Sequence, residues 1–138
     1  MRPTGTKILR IHGINIYIHS SWWFIVALLS YSLSTGVFPQ YYPDMSASFY
    51  WLTGIAAAFL LFASVLLHEL SHSFVARAKN LKVDSITLFF FGGVASLPSE
   101  DVKPSTEFWM ALAGPVFSLA LGISLYFVLC VLGTCLFL

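Results

Sequence analysis

Charged side chains are scarce in this chain. Asp, Glu, Lys and Arg together make up 9% of its 138 residues, against roughly 25% in soluble domains. That shortage excludes a solvated globular domain, and a formal net charge of +1 gives no basic surface for nucleic acid. Cysteine is scarcer still. Cys130 and Cys135 stand five apart in an apolar run, without the Cys-x-x-Cys spacing of a metal or redox site, and read as packing or lipid-facing residues. Internal repeats and low-complexity tracts are absent, and the basic start is not followed by the small-residue cleavage site of a signal peptide. The expectation is one intramembrane domain over residues 1–138.

What the chain has in quantity is hydrophobic residues, at 58%. They gather in three segments: Trp22 to Phe38, Tyr50 to Leu67 and onward, and Phe108 to Leu138. About 20 apolar residues cross the hydrocarbon core, so each segment predicts a transmembrane helix. The third is longer than needed and is expected to tilt, to kink near Pro115 or to break around Gly133. Trp22, Trp23, Tyr41, Tyr42, Tyr50 and Trp51 fall near the segment ends, where amphipathic rings favour the headgroup region, and read as membrane anchors. Arg2, Lys7, Arg10, Arg77, Lys79, Lys82 and Lys103 all fall on one side of these segments, whereas the loop from Phe38 to Phe49 carries only Asp44. The positive-inside rule therefore predicts a cytoplasmic N-terminus and a cytoplasmic 77–103 region.

Within the second segment stands His68-Glu69-Leu70-Ser71-His72. Residues four apart on a helix share a face, so His68 and His72 can each offer a ring nitrogen to one Zn2+ ion. In this H-E-x-x-H arrangement Glu69 is the general base, taking a proton from a metal-activated water and returning it to the departing amine. A polar cluster that merely packs helices is the alternative reading of the same residues. Ionisable groups are costly in so apolar a neighbourhood and normally face a protein interior or a wet cavity, which favours the metal. The motif helix is predicted over about Phe49 to Lys79, with Ser64, His68 and His72 as a polar stripe. Nine residues separate His68 from Arg77, which puts the site roughly 14 Å from the charged boundary, in the cytoplasmic leaflet.

Two further stretches carry the alternation of strands. Lys7–Ile11 and Ile14–Ile18 bracket His12-Gly13 and predict an interfacial hairpin, in which His12 and His19 are solvated or hydrogen-bonded rather than metal ligands. Ser85–Leu97 holds two β-prone runs around Gly92-Gly93, too short to span. A membrane-associated hairpin beside the metal suits it, because strand backbone at that depth survives only against protein or a cavity. Phe91, Gly92, Gly93 and Val94 are then candidates for pairing with an extended substrate backbone. A hairpin that only packs against the helices is the other reading. The expected fold is a mainly α membrane protein, with about three transmembrane helices, an interfacial N-terminal hairpin and a short membrane-associated β-hairpin near the metal site.

In this order the motifs resemble the site-two protease family of intramembrane zinc metalloproteases. Ile18-His19-Ser20-Ser21-Trp22 is similar to the start of the family's first segment, with serine at position 20 where proline is commoner. Leu67–Ser73 with Val75-Ala76-Arg77 is similar to its zinc helix, with serine at position 71 where glycine is frequent. Ser85–Leu88 through Phe91–Ala95 is similar to its membrane-associated strands, and Glu107-Phe108, Ala113-Gly114-Pro115 and Ser118 to its next helix. Gly114 and Pro115 read as helix-packing residues. The resemblance is to the prokaryotic branch that carries CBS domains, and it implies cleavage of the transmembrane segment of a substrate protein at a prokaryotic cell membrane, in regulated proteolysis. It also implies a third zinc ligand, an aspartate from a later helix, which no residue after His72 matches: Asp84, Glu100 and Asp101 lie in other contexts. The expectations that follow are a chain truncated relative to the family, lacking the third-ligand helix and CBS domains, and a third ligand from a second chain or a missing C-terminal part. A non-catalytic membrane binding module, or pseudoprotease, is the alternative.

Overall fold

A computed structural model describes residues 5–90, 92–95 and 102–136, with side chains through 133. Its elements run β1 (Thr6–Ile11), β2 (Ile14–Ile18), α1 (Ser20–Ser32), a π-helical turn (Leu33–Val37), α2 (Phe38–Tyr41), α3 (Ala47–Ala78), β3 (Ser85–Phe89), β4 (Gly92–Ala95) and α4 (Pro104–Leu136). The fold is thus mainly helical with a small sheet. Among the described residues, three spans are long and apolar enough to cross a bilayer: Ser20–Tyr41, Ala47–Ala78 and Pro104–Gly133. The chain is an integral membrane protein.

Local chemistry sets the helix ends. His19 is extended and its Nδ1 accepts from the backbone N–H of Ser21 at 3.2 Å, so this histidine caps α1. Ser46 does the same for α3 through Phe49 N–H at 3.2 Å. The Tyr50 hydroxyl donates to the Tyr42 carbonyl at 2.7 Å and accepts from Met45 N–H at 3.1 Å, tying the short connection before α3 to its first turn. At its other end α3 stops at Ala78, and Asn80 just beyond it, with a φ of 64°, takes the left-handed conformation that closes a helix. Pro104 opens α4, where a missing N–H costs nothing.

The strands form one sheet in the order β1-β2-β3-β4. β1 and β2 are the expected hairpin about His12-Gly13, and β3 and β4 are the second. The two hairpins are not separate, as the local pattern implied. β2 pairs with β3 in parallel, Asn15 opposite Ser85 through Ile18 opposite Leu88, so α1 to α3 form the crossover between neighbouring strands. Gly92 and Gly93 were expected at the turn. Both lie in β4, with Gly92 opening it at a φ of 128°. α4 continues through Gly133 to Leu136, so of the three alternatives expected for this segment the break at Gly133 does not occur. Trp22 corrects the anchor reading: it is 4% exposed, packed with Val26, Phe62 and Leu88. Trp23, Tyr41, Tyr42 and Trp51 remain exposed.

Ile14, Ile16 and Ile86 are fully buried against Leu70 of α3 and fix the sheet to that helix. At about 100° per residue, Leu70 points away from His68 and His72, so the sheet holds α3 from behind the motif. Replacing Ile86 with alanine is expected to destabilise the protein by about 2–5 kcal/mol, and with valine by about 0.5–1.5 kcal/mol. Thermal unfolding in detergent measures both. Equal midpoints for the two variants would mean that the sheet is not docked as described.

Candidate metal centre

The angular arithmetic that sends Leu70 to the sheet sends the motif's other side chains elsewhere. His68 and His72 differ by about 40° around α3 and Glu69 by about 100° from His68. The imidazoles accordingly meet α4, and Glu69 meets β4. Their Nε2 atoms stand 3.1 Å apart. Two nitrogens bound to one tetrahedral zinc at about 2.0–2.1 Å would be roughly 3.3 Å apart.

The opposite edge of each ring is engaged. His72 Nδ1 donates to the Met110 carbonyl at 2.5 Å. That bond places the proton on Nδ1, and in the neutral ring leaves the Nε2 lone pair aimed at His68. His68 Nδ1 lies 2.8 Å from Ser118 Oγ. Two arrangements satisfy this geometry. In one, His68 carries its proton on Nε2 and donates it to His72, while the Ser118 hydroxyl donates to Nδ1. In the other, His68 Nδ1–H donates to Ser118 and two lone pairs converge where a cation can accept both. Imidazole ligands commonly have their second nitrogen held in this way, so the donor set fits zinc. Among the described residues, however, no group of three His, Cys, Asp or Glu side chains comes together to hold a metal.

Met110, Gly114 and Ser118 repeat every four residues on α4, as Ser64, His68 and His72 do on α3. The two stripes face each other. Gly114 is the reason they can approach: a Cβ there would overlap Nε2 of both histidines and Cε1 of His72. The helix-packing reading of Gly114 therefore has a specific object, the imidazole pair itself. Pro115 has no N–H for the Ala111 carbonyl and loosens the ladder beside Met110. The sequence contained this second stripe, but only the pairing of α4 with α3 gives Met110 and Ser118 their contacts.

β4 approaches from the third side. A Cβ on Gly93 would overlap Glu69 Cγ and lie 3.1 Å from its carboxyl carbon. A cavity of about 320 Å³ opens here, lined by Ser64, His68, Glu69, Gly92, Gly93 and Ser118 as well as Val65. The candidate substrate residues Gly92 and Gly93 thus share a cavity with Glu69. Val94 is 58% exposed, and Phe91 lies outside the described residues. β4 is an edge strand of the sheet. His12 and His19 stay apart from the cavity, with the His12 ring against Phe74 and His19 capping α1.

Gly114→Ala is expected to drive the imidazoles and α4 apart and to cost about 1–3 kcal/mol, read as a lower unfolding midpoint in detergent. An unchanged midpoint would show that α4 can retreat freely from α3.

The chain is similar to known proteins in sequence and in fold. A Synechocystis protein provisionally named a zinc metalloprotease is 45% identical over 119 residues, 86% of this chain and 31% of the relative. A zinc metalloprotease of Methanocaldococcus jannaschii is 34% identical over 124 residues, 88% of this chain and 32% of the relative. This chain therefore spans about a third of the length of these relatives. Among solved structures, a site-2 protease from Methanocaldococcus jannaschii superposes with a TM-score of 0.61 at 29% identity, over 89% of this chain and 50% of that one. Residues 56–136, which include the motif and all of α4, match peptidase family M50, and the chain belongs to that family.

Proposed function

We propose that this chain carries the metal-binding and proton-transfer part of an intramembrane zinc metalloendopeptidase, which hydrolyses a peptide bond in the transmembrane segment of a protein substrate in regulated proteolysis. The observation that supports this reading is the meeting of His68 and His72 at Nε2, with both Nδ1 atoms engaged and Glu69 in the adjoining cavity. His68 and His72 hold zinc through Nε2. A zinc ion held there would supply Lewis acidity to the scissile carbonyl and to the attacking water. Glu69 takes one proton from the attacking water and delivers it to the amine nitrogen as the C–N bond breaks. Ser118 and the Met110 carbonyl orient the two rings. The β4 edge, with Phe91, Gly92, Gly93 and Val94, aligns an unwound substrate backbone beside Glu69.

In this reading residues 1–138 act as one core. The third ligand comes from a second chain or from a part of the protein outside the described residues. The one-sided distribution of Lys and Arg supports a cytoplasmic N-terminus and a site in the cytoplasmic leaflet, and the prokaryotic relatives support a prokaryotic cell membrane. The lack of a third metal-binding side chain among the described residues favours one other reading, a membrane module that holds a substrate strand without cutting it.

Zinc per chain, measured on the purified protein and on His68→Ala, tests the metal. Zinc above background that is lost in the variant is expected, and equal background in both even with an aspartate-bearing helix supplying the third ligand would remove the metal-centred reading. Glu69→Gln is then expected to keep zinc and to lower cleavage of a transmembrane reporter substrate at least about 10²-fold. If zinc disappears together with cleavage, Glu69 is not the base assigned here. If the zinc-loaded wild type still cleaves nothing once an aspartate-bearing helix supplies the third ligand, the binding module is the correct reading.

A further inference from the structure

A second polar cavity lies where α3 ends. Arg77, in the last turn, reaches back and donates through Nη1 to the His12 carbonyl in the β1–β2 turn. This brings it over Gly13, where a Cβ would be 3.5 and 3.8 Å from the two Arg77 guanidinium nitrogens and 3.9 Å from Arg10 Nη2. Two guanidinium groups from different elements therefore meet above one turn. They line a cavity of about 320 Å³ with Asn80, Lys82 and Asp84. Three cationic side chains face one carboxylate there, an arrangement that favours an anion with several acceptor oxygens.

Its surroundings select the kind of anion. The cavity begins where the apolar span Ala47–Ala78 stops, the level at which phospholipid phosphates lie. Ile8 and Leu9, on the same strand as Arg10, are 47% and 39% exposed, and Phe74, one turn before Arg77, is 42% exposed. The Phe74 ring packs on His12, so an exposed apolar side chain reaches the turn above which the two guanidinium groups meet. A free phosphate would use the cations and leave the apolar side chains bare.

We propose that this cavity binds the phosphate headgroup of an anionic phospholipid, with Arg10 and Arg77 on the phosphate oxygens, Lys82 at the rim and the acyl chains over Ile8, Leu9 and Phe74. The site lies apart from the motif cavity and shares no residue with it. It requires only that the chain spans the membrane, so it stands whether or not the protein cleaves peptides.

The test is native mass spectrometry of the 138-residue protein released from nanodiscs of equal parts phosphatidylglycerol and phosphatidylcholine. The wild type is expected to retain phosphatidylglycerol preferentially. Arg10→Gln and Lys82→Gln, both at exposed positions, should each lower that preference about fivefold. Lys103→Gln removes the same charge outside the cavity and should leave the preference intact. No preference in the wild type, or an equal loss in Lys103→Gln, overturns the proposal in favour of none or of diffuse surface charge. Displacement of phosphatidylglycerol by millimolar inorganic phosphate, with phosphorus resonance broadening by the protein in lipid-free micelles, overturns it in favour of free phosphate.

Discussion

The approach of α4 to α3 at Gly114, where no single carbon fits, is the constraint on which the candidate centre depends. Helices in a bilayer gain little from burying apolar surface, since lipid tails are as apolar as leucine. Small residues that permit close backbones, and polar side chains that find partners across the gap, hold them together instead. Both devices coincide here. Gly114 lets the backbones close, and the Met110 carbonyl and Ser118 hydroxyl meet the imidazoles that arrive. The contacts that join α3 to α4 are thus the contacts that orient His68 and His72, so helix association and site formation are one event.

The motif helix separates its duties by angle. Its histidines face α4, Glu69 faces β4 and Leu70 faces the sheet, and each direction is occupied by a different element. A rotation of α3 that improved one contact would damage the others, which fixes the helix about its own axis. The sheet supports this from the rear through Ile14, Ile16 and Ile86, with no polar atom spent. Gly93 then sets how near β4 can come to Glu69.

Much of this was legible in the chain because it is periodic or local. The spacing of His68 and His72, the apolar spans and the hairpin about His12-Gly13 each depend on residues close in sequence. The parallel pairing of β2 with β3 was not legible, because Ile16 and Ile86 are 70 residues apart and each reads as an ordinary strand residue. Trp22 misled for a related reason: an aromatic at a span end suits an interface or a core equally, and only Phe62 and Leu88, from distant elements, make it core. The four-residue repeat Met110, Gly114, Ser118 was present but mute until α4 was laid against α3, since a carbonyl, a glycine and a hydroxyl carry no chemistry alone.

The edge position of β4 gives a physical account of how a substrate could be presented inside a membrane. A transmembrane helix satisfies its backbone internally, and its carbonyls are shielded by its own side chains. To expose one bond it must unwind, and at hydrocarbon depth each freed N–H or C=O costs several kcal/mol unless it is paired. An open sheet edge offers that pairing strand by strand. It must also bring the chosen carbonyl to the carboxylate, and a strand bearing a side chain at position 93 could not lie against Glu69 as this one does. In the proposed function Gly93 would serve presentation and proton transfer together, because its missing side chain lets the β4 edge and the Glu69 carboxylate share one cavity.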